Sequence, residues 1–135
     1  MPRKVQLLNK SEMVVYDALD NLLVKFGRKL KLIPQTTMGE FIQSSENEDH
    51  SKINSKRVDF LICSHNFWPI VAIEFHGSGH YLNNSWQNRD LVKEKICQKA
   101  KVVYFPILNN ELEVLDDVLQ NRLMPILNNA TKHYK

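Results

Sequence analysis

No stretch of the chain approaches the ~18 consecutive apolar residues of a membrane-spanning helix. The start, MPRKVQLLNKSE, is basic but lacks the apolar core and small-residue cleavage site of a secretory signal. The expected location is therefore cytoplasmic, with no membrane partner. Cysteine is scarce. Cys63 and Cys97 both lie in apolar segments, which speaks against a disulfide framework and predicts free thiols in a reducing compartment. No internal repeat, low-complexity tract, zinc-finger spacing or helix-turn-helix pattern is present, so any specificity must come from loops, a protein partner or a homodimer mate. Charge of one sign is not in great excess either. A formal net charge of +3 permits a nucleic-acid partner without demanding one.

What is there fits one domain spanning residues 1–135, long enough to bury roughly two-thirds of the surface that its unfolded form exposes. SEMVVYDALDNLLVKF carries apolar residues at Val15, Leu19, Leu22, Leu23 and Phe26, the spacing of an amphipathic helix, with Gly27 as its stop. KLKLIPQTT alternates basic and apolar residues up to Pro34 and predicts a strand at a sheet edge. The polar stretch 44–55 predicts a loop. KRVDFLICS and IVAIEFH, joined by a turn around HNFWP, read as a hairpin buried on both faces. SWQNRDLVKEKICQKA predicts a helix, KVVYFPI a strand, and NELEVLDDVLQNRLMPILNN a second amphipathic helix, kinked or ended before Pro125. The fold class is α/β (α+β), in the order α-β-β-β-α-β-α, with a central sheet flanked by helices. The acidic last helix is a candidate dimerisation or partner surface.

Several charged residues fall on faces that ought to be apolar. With Val92 at zero and 100° per residue, Ile96 lies near ~40° and Ala100 near ~80°, and Arg89 (~60°) and Lys93 (~100°) fall inside that apolar stripe. Their long stems either snorkel past the core edge or carry cations towards the sheet. On the first helix Glu12 falls near ~60° from Val15, again within the stripe. A capping box with Asn9 explains it locally and does not exclude a second role. On the hairpin, alternation puts Asp59 on a face with Leu61 and Cys63, and Glu74 on one with Ala72, Ile70 and His76. A carboxylate in a buried strand is costly unless a cation, a metal or hydrogen bonds compensate it. One reading is a helix-to-sheet staple, such as Asp59 with Arg89 or a Glu–Lys pair. The other is metal-assisted hydrolysis. Carboxylates suit Mg²⁺ or Mn²⁺, a nearby Lys or His can polarise water, and the planar fork of Arg89 suits a phosphate oxygen.

At these residues the sequence resembles the PD-(D/E)XK nuclease superfamily. VDFLI, IEFHGSGHY and NRDLVKEKI are similar to an uncharacterised subgroup related to very-short-patch-repair endonucleases, whose pattern runs V-D-F, I-E-x-D-x-x-S-H and R-D-x-x-K. Asp59, Glu74, His80, Arg89, Asp90 and Lys93 stand at matching positions. The resemblance implies a restriction-endonuclease-like core and a DNA endonuclease or nickase that requires Mg²⁺ or Mn²⁺. It implies Asp59, Glu74 and the Phe75 backbone carbonyl as metal ligands, Glu12 as auxiliary acid and Arg89 on the substrate phosphate. Lys93, His76 and His80 then serve as acid–base or phosphate-contacting groups.

The sequence departs from the pattern at position 76, where His replaces the signature lysine or the subgroup's Asp. Lys93 entering from the helix then replaces the lysine in space, or catalysis has been lost and the domain binds nucleic acid or a protein partner silently. The last strand, VVYFPI, also lacks the arginine common in the subgroup. The glycines after His76 are expected to let backbone approach a phosphate. GSG without a following GK[ST] does not support nucleotide binding, and the two histidines of HGSGH lack a third zinc ligand at recognisable spacing. Trp68 and Trp86 are expected to flank the site, each as partial core or as a residue that stacks on a base or wedges a duplex.

Overall fold

The computed structural model describes residues 1–45, 53–77 and 85–132, with residues 85–90 as backbone only. The chain opens with helix α1 (Lys10–Leu23). Its first turn is closed by the expected capping box, in which the Asn9 side chain accepts from the Glu12 N–H at 2.8 Å and the Glu12 carboxylate accepts from the Asn9 N–H at 2.9 Å. This reciprocal pair satisfies two of the amides that a helix start leaves open. Val15, Leu19, Leu22 and Leu23 form its buried stripe. A 3₁₀ segment, Val24–Lys29, carries Gly27 at φ 60°, ψ −129°, a backbone geometry that glycine adopts without the Cβ penalty.

Four strands follow, β1 (Leu30–Thr37), β2 (Arg57–Ser64), β3 (Pro69–His76) and β4 (Val103–Leu108). They form one sheet in the order β1-β2-β3-β4. The first three make an antiparallel meander, and β4 runs parallel to β3. A parallel neighbour cannot be reached by a tight turn and needs a crossover, and helix α2 (Ser85–Lys99) lies in that connection. Pro34 sits in β1, an edge strand, where a missing N–H need not cost a ladder bond. The mixed sheet flanked by helices is the α+β class that the sequence predicts.

Each face of the sheet carries a core. On one, Val15 and Leu19 of α1 pack with Phe60, Ile62, Val71, Ile73 and residues of the C-terminal helices. On the other, Leu61, Cys63 and Ala72 pack with Cys97 of α2 and with Met38, Ile42 and Ile53. Burial on both faces explains why β2 and β3 read as continuous apolar runs instead of alternating ones.

The last predicted helix is not one regular helix. It begins as a 3₁₀ segment (Asn109–Val114), becomes α3 (Leu115–Val118), passes through a π-helical turn (Leu119–Leu123) and ends as α4 (Met124–Thr131). Pro125 stands in the first turn of α4, where its missing N–H is tolerated, and the π-turn before it accommodates the carbonyl that Pro125 cannot bond. Cys63 and Cys97 are free and buried, and burial pushes each thiol up to about 11. Among the described residues no helix is long and apolar enough to cross a membrane.

Candidate active site at the splayed end of the hairpin

The β2–β3 ladder ends at the Phe60–Ile73 pair. One residue further, the register sets Asp59 opposite Glu74 without a ladder pairing, and side chains take over from backbone. Asp59 Oδ2 accepts the Phe75 N–H at 2.7 Å. Because the N–H and C=O of one strand residue point to the same side, the Phe75 carbonyl also faces the Asp59 side of β3. Glu74 is 6% exposed, and its Oε1 lies 2.8 Å from Lys93 Nζ of α2. The same ammonium donates to the Arg57 carbonyl at 2.8 Å. Lys93 thus does not snorkel to solvent. It reaches from the third turn of α2 into the gap between β2 and β3, where two of its three N–H donors meet described acceptors.

Burial holds the Asp59 carboxyl above its ordinary value of 3.8, the Phe75 N–H opposes that shift, the Glu12 carboxylate reinforces it, and Lys93 and a hydrogen bond from Glu74 oppose it. Cys97, one helical turn beyond Lys93, feels burial first and then the Glu74 charge, both raising its thiol pKa.

Glu12 faces the same region from α1. Besides its capping contact, its Oε2 accepts from Gln35 Nε2 at 3.2 Å. Gln35 is a residue that the sequence reading passes over. It occupies the register position opposite Asp59, between the Pro34–Phe60 and Thr36–Val58 pairs, and holds φ at 54°, an uncommon and costly backbone region for a residue with a Cβ. The Pro–Gln dipeptide in the edge strand is its only sequence signal.

Asp59, Glu74, Phe75, Lys93 and Glu12 are therefore brought together. His76 lies two residues beyond Glu74 on the same face and is 2% exposed. His80 lies outside the described residues, as do Gly79 and the side chains of Arg89, Asp90 and Trp86. Gly77 has no positive φ, and among the described residues a Cβ there would meet the Phe75 ring at 3.9 Å, so backbone strain does not demand glycine at that position. Trp68 does not flank the site. It precedes the first residue of β3, six residues and ~20 Å from Glu74 at strand rise.

The donor set suits a hard divalent cation. Mg²⁺ and Mn²⁺ take oxygen ligands, and Mg²⁺ ordinarily uses one or two protein carboxylates with waters completing the shell. The Asp59 and Glu74 carboxylates, beside the Phe75 carbonyl, offer that chemistry. Among the described residues no group of three or more His, Cys, Asp or Glu side chains is placed to hold an ion.

No solved structure matches the chain. An uncharacterized protein of Haemophilus influenzae is 40% identical over 126 residues, covering 90% of this chain and 66% of the relative. The uncharacterized protein y4bI of Sinorhizobium fredii is 28% identical over 102 residues, 76% of this chain and 73% of that protein. The chain thus spans about two-thirds of the length of the Haemophilus relative. A family model described as a protein of unknown function, DUF2726, matches residues 4–121. Most of the fold described above lies within that match, and the chain belongs to the DUF2726 family.

Proposed function

We propose that this chain is a divalent-metal-dependent nuclease of the PD-(D/E)XK kind, hydrolysing DNA phosphodiester bonds as an endonuclease or nickase. The observation that carries the reading is the meeting of Asp59, Glu74 and Lys93. Two acids on adjoining strands stand where the ladder ends, and a helix-borne lysine contacts one of them at 2.8 Å. Lys93 takes the place that His76 leaves open in the signature.

The Asp59 and Glu74 carboxylates with the Phe75 carbonyl would hold the ion, which supplies charge neutralisation at the scissile phosphate and acidifies a water. The chain's own groups do the positioning. The Phe75 N–H fixes Asp59 Oδ2, so that carboxylate is oriented before any ligand arrives. Lys93, anchored by Glu74 and by the Arg57 carbonyl, holds its ammonium beside the two carboxylates, a charge placed in advance where charge develops. Glu12, tied down by Asn9 and Gln35, adds negative charge beside Asp59 and favours cation capture. Arg89, His76 and His80 are assigned their roles by the family resemblance alone.

The test is incubation with supercoiled plasmid and with single-stranded DNA in Mg²⁺, Mn²⁺ or EDTA, beside Asp59→Ala, Glu74→Ala and Lys93→Ala variants. Metal-dependent cleavage by the wild type that falls at least ~10²-fold in each variant is expected, given what removal of one charge-stabilising group typically costs. No cleavage in any ion, with DNA bound equally by all four proteins, would replace this reading with a catalytically inactive nuclease-fold domain that binds nucleic acid or a protein partner. The buried His76 at the signature position is the observation that favours that second reading.

A further inference from the structure

Phe67 and Trp68, in the turn between β2 and β3, are 57% and 62% exposed, and they are the only aromatic side chains among the exposed large hydrophobics of the described residues. Burying them would have been easy in a chain whose neighbouring strands are covered on both faces. Their display is built. Ser64, 0% exposed, organises the turn. Its carbonyl accepts the Phe67 N–H at 3.0 Å, and its N–H donates to the Trp68 carbonyl at 2.9 Å. Its Oγ accepts the Trp68 N–H at 3.1 Å and donates to Asn66 Oδ1 at 2.7 Å. These bonds hold Phe67 at φ 69°, a region where a bulky aromatic is an outlier and where Asn or Gly costs least. Asn66 is adjacent, so a turn selected for stability alone would have placed the Asn at the left-handed position. Strain of this kind concentrates where a surface has a function.

The surroundings identify a ligand chemistry. Lys31 Nζ sits 4.3 Å from the Phe67 ring centroid. The Leu30–Ser64 pair sets the exposed Arg28 and Lys29 beside the turn. On its other side a groove of about 540 Å³ runs between the turn and residues 39–43. One acidic residue, Glu40, lines that groove, against Lys31 at the Phe67 ring and the two exposed cations, Arg28 and Lys29, that directly precede β1. Exposed rings beside a row of cations are the pairing by which single-stranded nucleic acid is held, bases on the rings and phosphates on the cations. Duplex DNA buries its base faces in the stack and cannot use the rings in this way.

We propose that Phe67 and Trp68, with Lys31, Lys29 and Arg28, form a stacking platform for single-stranded nucleic acid. The platform lies at the end of the hairpin opposite Asp59 and Glu74, ~20 Å along the strands. The choice of nucleic acid as partner rests on the nuclease reading, but the platform is tested by binding and not by cleavage. A labelled oligothymidylate of about 20 nucleotides, longer than common single-strand site sizes, and a duplex of equal length are titrated by fluorescence anisotropy in EDTA. The proteins are the wild type and the Phe67→Asn, Trp68→Ala, Trp68→Phe and Asp59→Ala variants, each with its melting temperature measured.

Phe67→Asn and Trp68→Ala are expected to weaken oligothymidylate binding about tenfold or more, to change duplex binding less than about threefold, and to leave the melting temperature unchanged or, for Phe67→Asn, raised. Trp68→Phe keeps affinity within about threefold because the stacking face remains. Absence of oligothymidylate binding by the wild type, or affinity untouched by both substitutions, overturns the platform. Equal loss on duplex and single strand overturns the stacking geometry, and a lowered melting temperature in Phe67→Asn with unchanged affinity makes the turn purely structural. Failure of the nuclease reading looks different, since plasmid then stays uncut in Mn²⁺ while Asp59→Ala and wild type bind the oligonucleotide alike.

Discussion

Asp59 shows how one side chain can be unfavourable for folding and useful for chemistry. Its pKa is raised, chiefly by burial, so the folded protein holds the proton more tightly than the unfolded one. The stability linked to that proton is complete below the ordinary value of 3.8 and is lost as pH rises through the raised folded pKa. Asp59→Asn keeps an oxygen for the Phe75 N–H and removes the charge. It is therefore expected to raise the melting temperature at neutral pH, with a gain that shrinks as pH falls towards the ordinary carboxylate range, while cleavage is lost. Thermal melts of both proteins across that pH range check the sign. A gain independent of pH would show that packing and not ionisation sets the difference. Such an exchange of stability for function is expected where an active site holds a group that folding alone would not place there.

Among elements, the decisive contact is that of α2 with the β2–β3 gap. Among the described residues Lys93 makes the ion pair from α2 to the sheet, joining Glu74 at 2.8 Å with side-chain exposures of 16% and 7%. Breaking so buried a pair from one side costs about 3 kcal/mol or more, because it leaves a charge in a poorly solvating place, whereas replacing both partners with neutral groups costs less. Lys93→Met is thus expected to destabilise by about 3 kcal/mol and the Lys93→Met, Glu74→Gln double variant by less than Lys93→Met alone. Urea denaturation of the four proteins of the cycle measures the coupling. Additive losses would mean that the two groups do not compensate one another, and the site would lose its anchored lysine. The π-turn at Leu119–Leu123 belongs to this scale too: Pro125 is visible in the chain, but whether the helix ends or bulges is settled by what its neighbours bury.

For the molecule as a whole, the sheet holds two cores apart and leaves one acidic gap between them. A ligand that binds only the folded state raises its stability by mass action, about 2.7 kcal/mol at a hundredfold excess over its dissociation constant. Mn²⁺ or Mg²⁺ in the millimolar range is therefore expected to raise the melting temperature of the wild type, and not that of an Asp59→Asn, Glu74→Gln double variant. Calorimetry with and without EDTA reads this directly. A domain whose buried charges merely satisfy each other would be indifferent to the ions. At the far end of the same hairpin, the Phe67–Trp68 turn gives the molecule a second surface, so the proposed substrate path runs along the sheet and not only across its acidic end.

Local physics made much of this legible from the chain. The capping box needs only Asn9 and Glu12 three residues apart, and the two-sided burial of β2 and β3 is written in their continuous apolar runs, whereas the α-helix expected to run to Gly27 ends at Leu23 and passes into a 3₁₀ segment. The misplaced charges were legible as well, because a Lys or Glu inside an apolar stripe is out of place whatever the fold. Their partners were not. That Lys93 meets Glu74 depends on how α2 crosses the sheet, that Asp59 takes the Phe75 N–H depends on where the ladder ends, and that Gln35 joins Glu12 depends on a left-handed residue opposite Asp59. The exposure of Trp68, which the chain alone leaves open between partial core and a stacking residue, is decided by the turn that the Ser64 hydrogen bonds hold. Periodicity and propensity act within a few residues and are fixed by the sequence itself, whereas register, crossover and strain are decided only when distant segments compete for the same buried space.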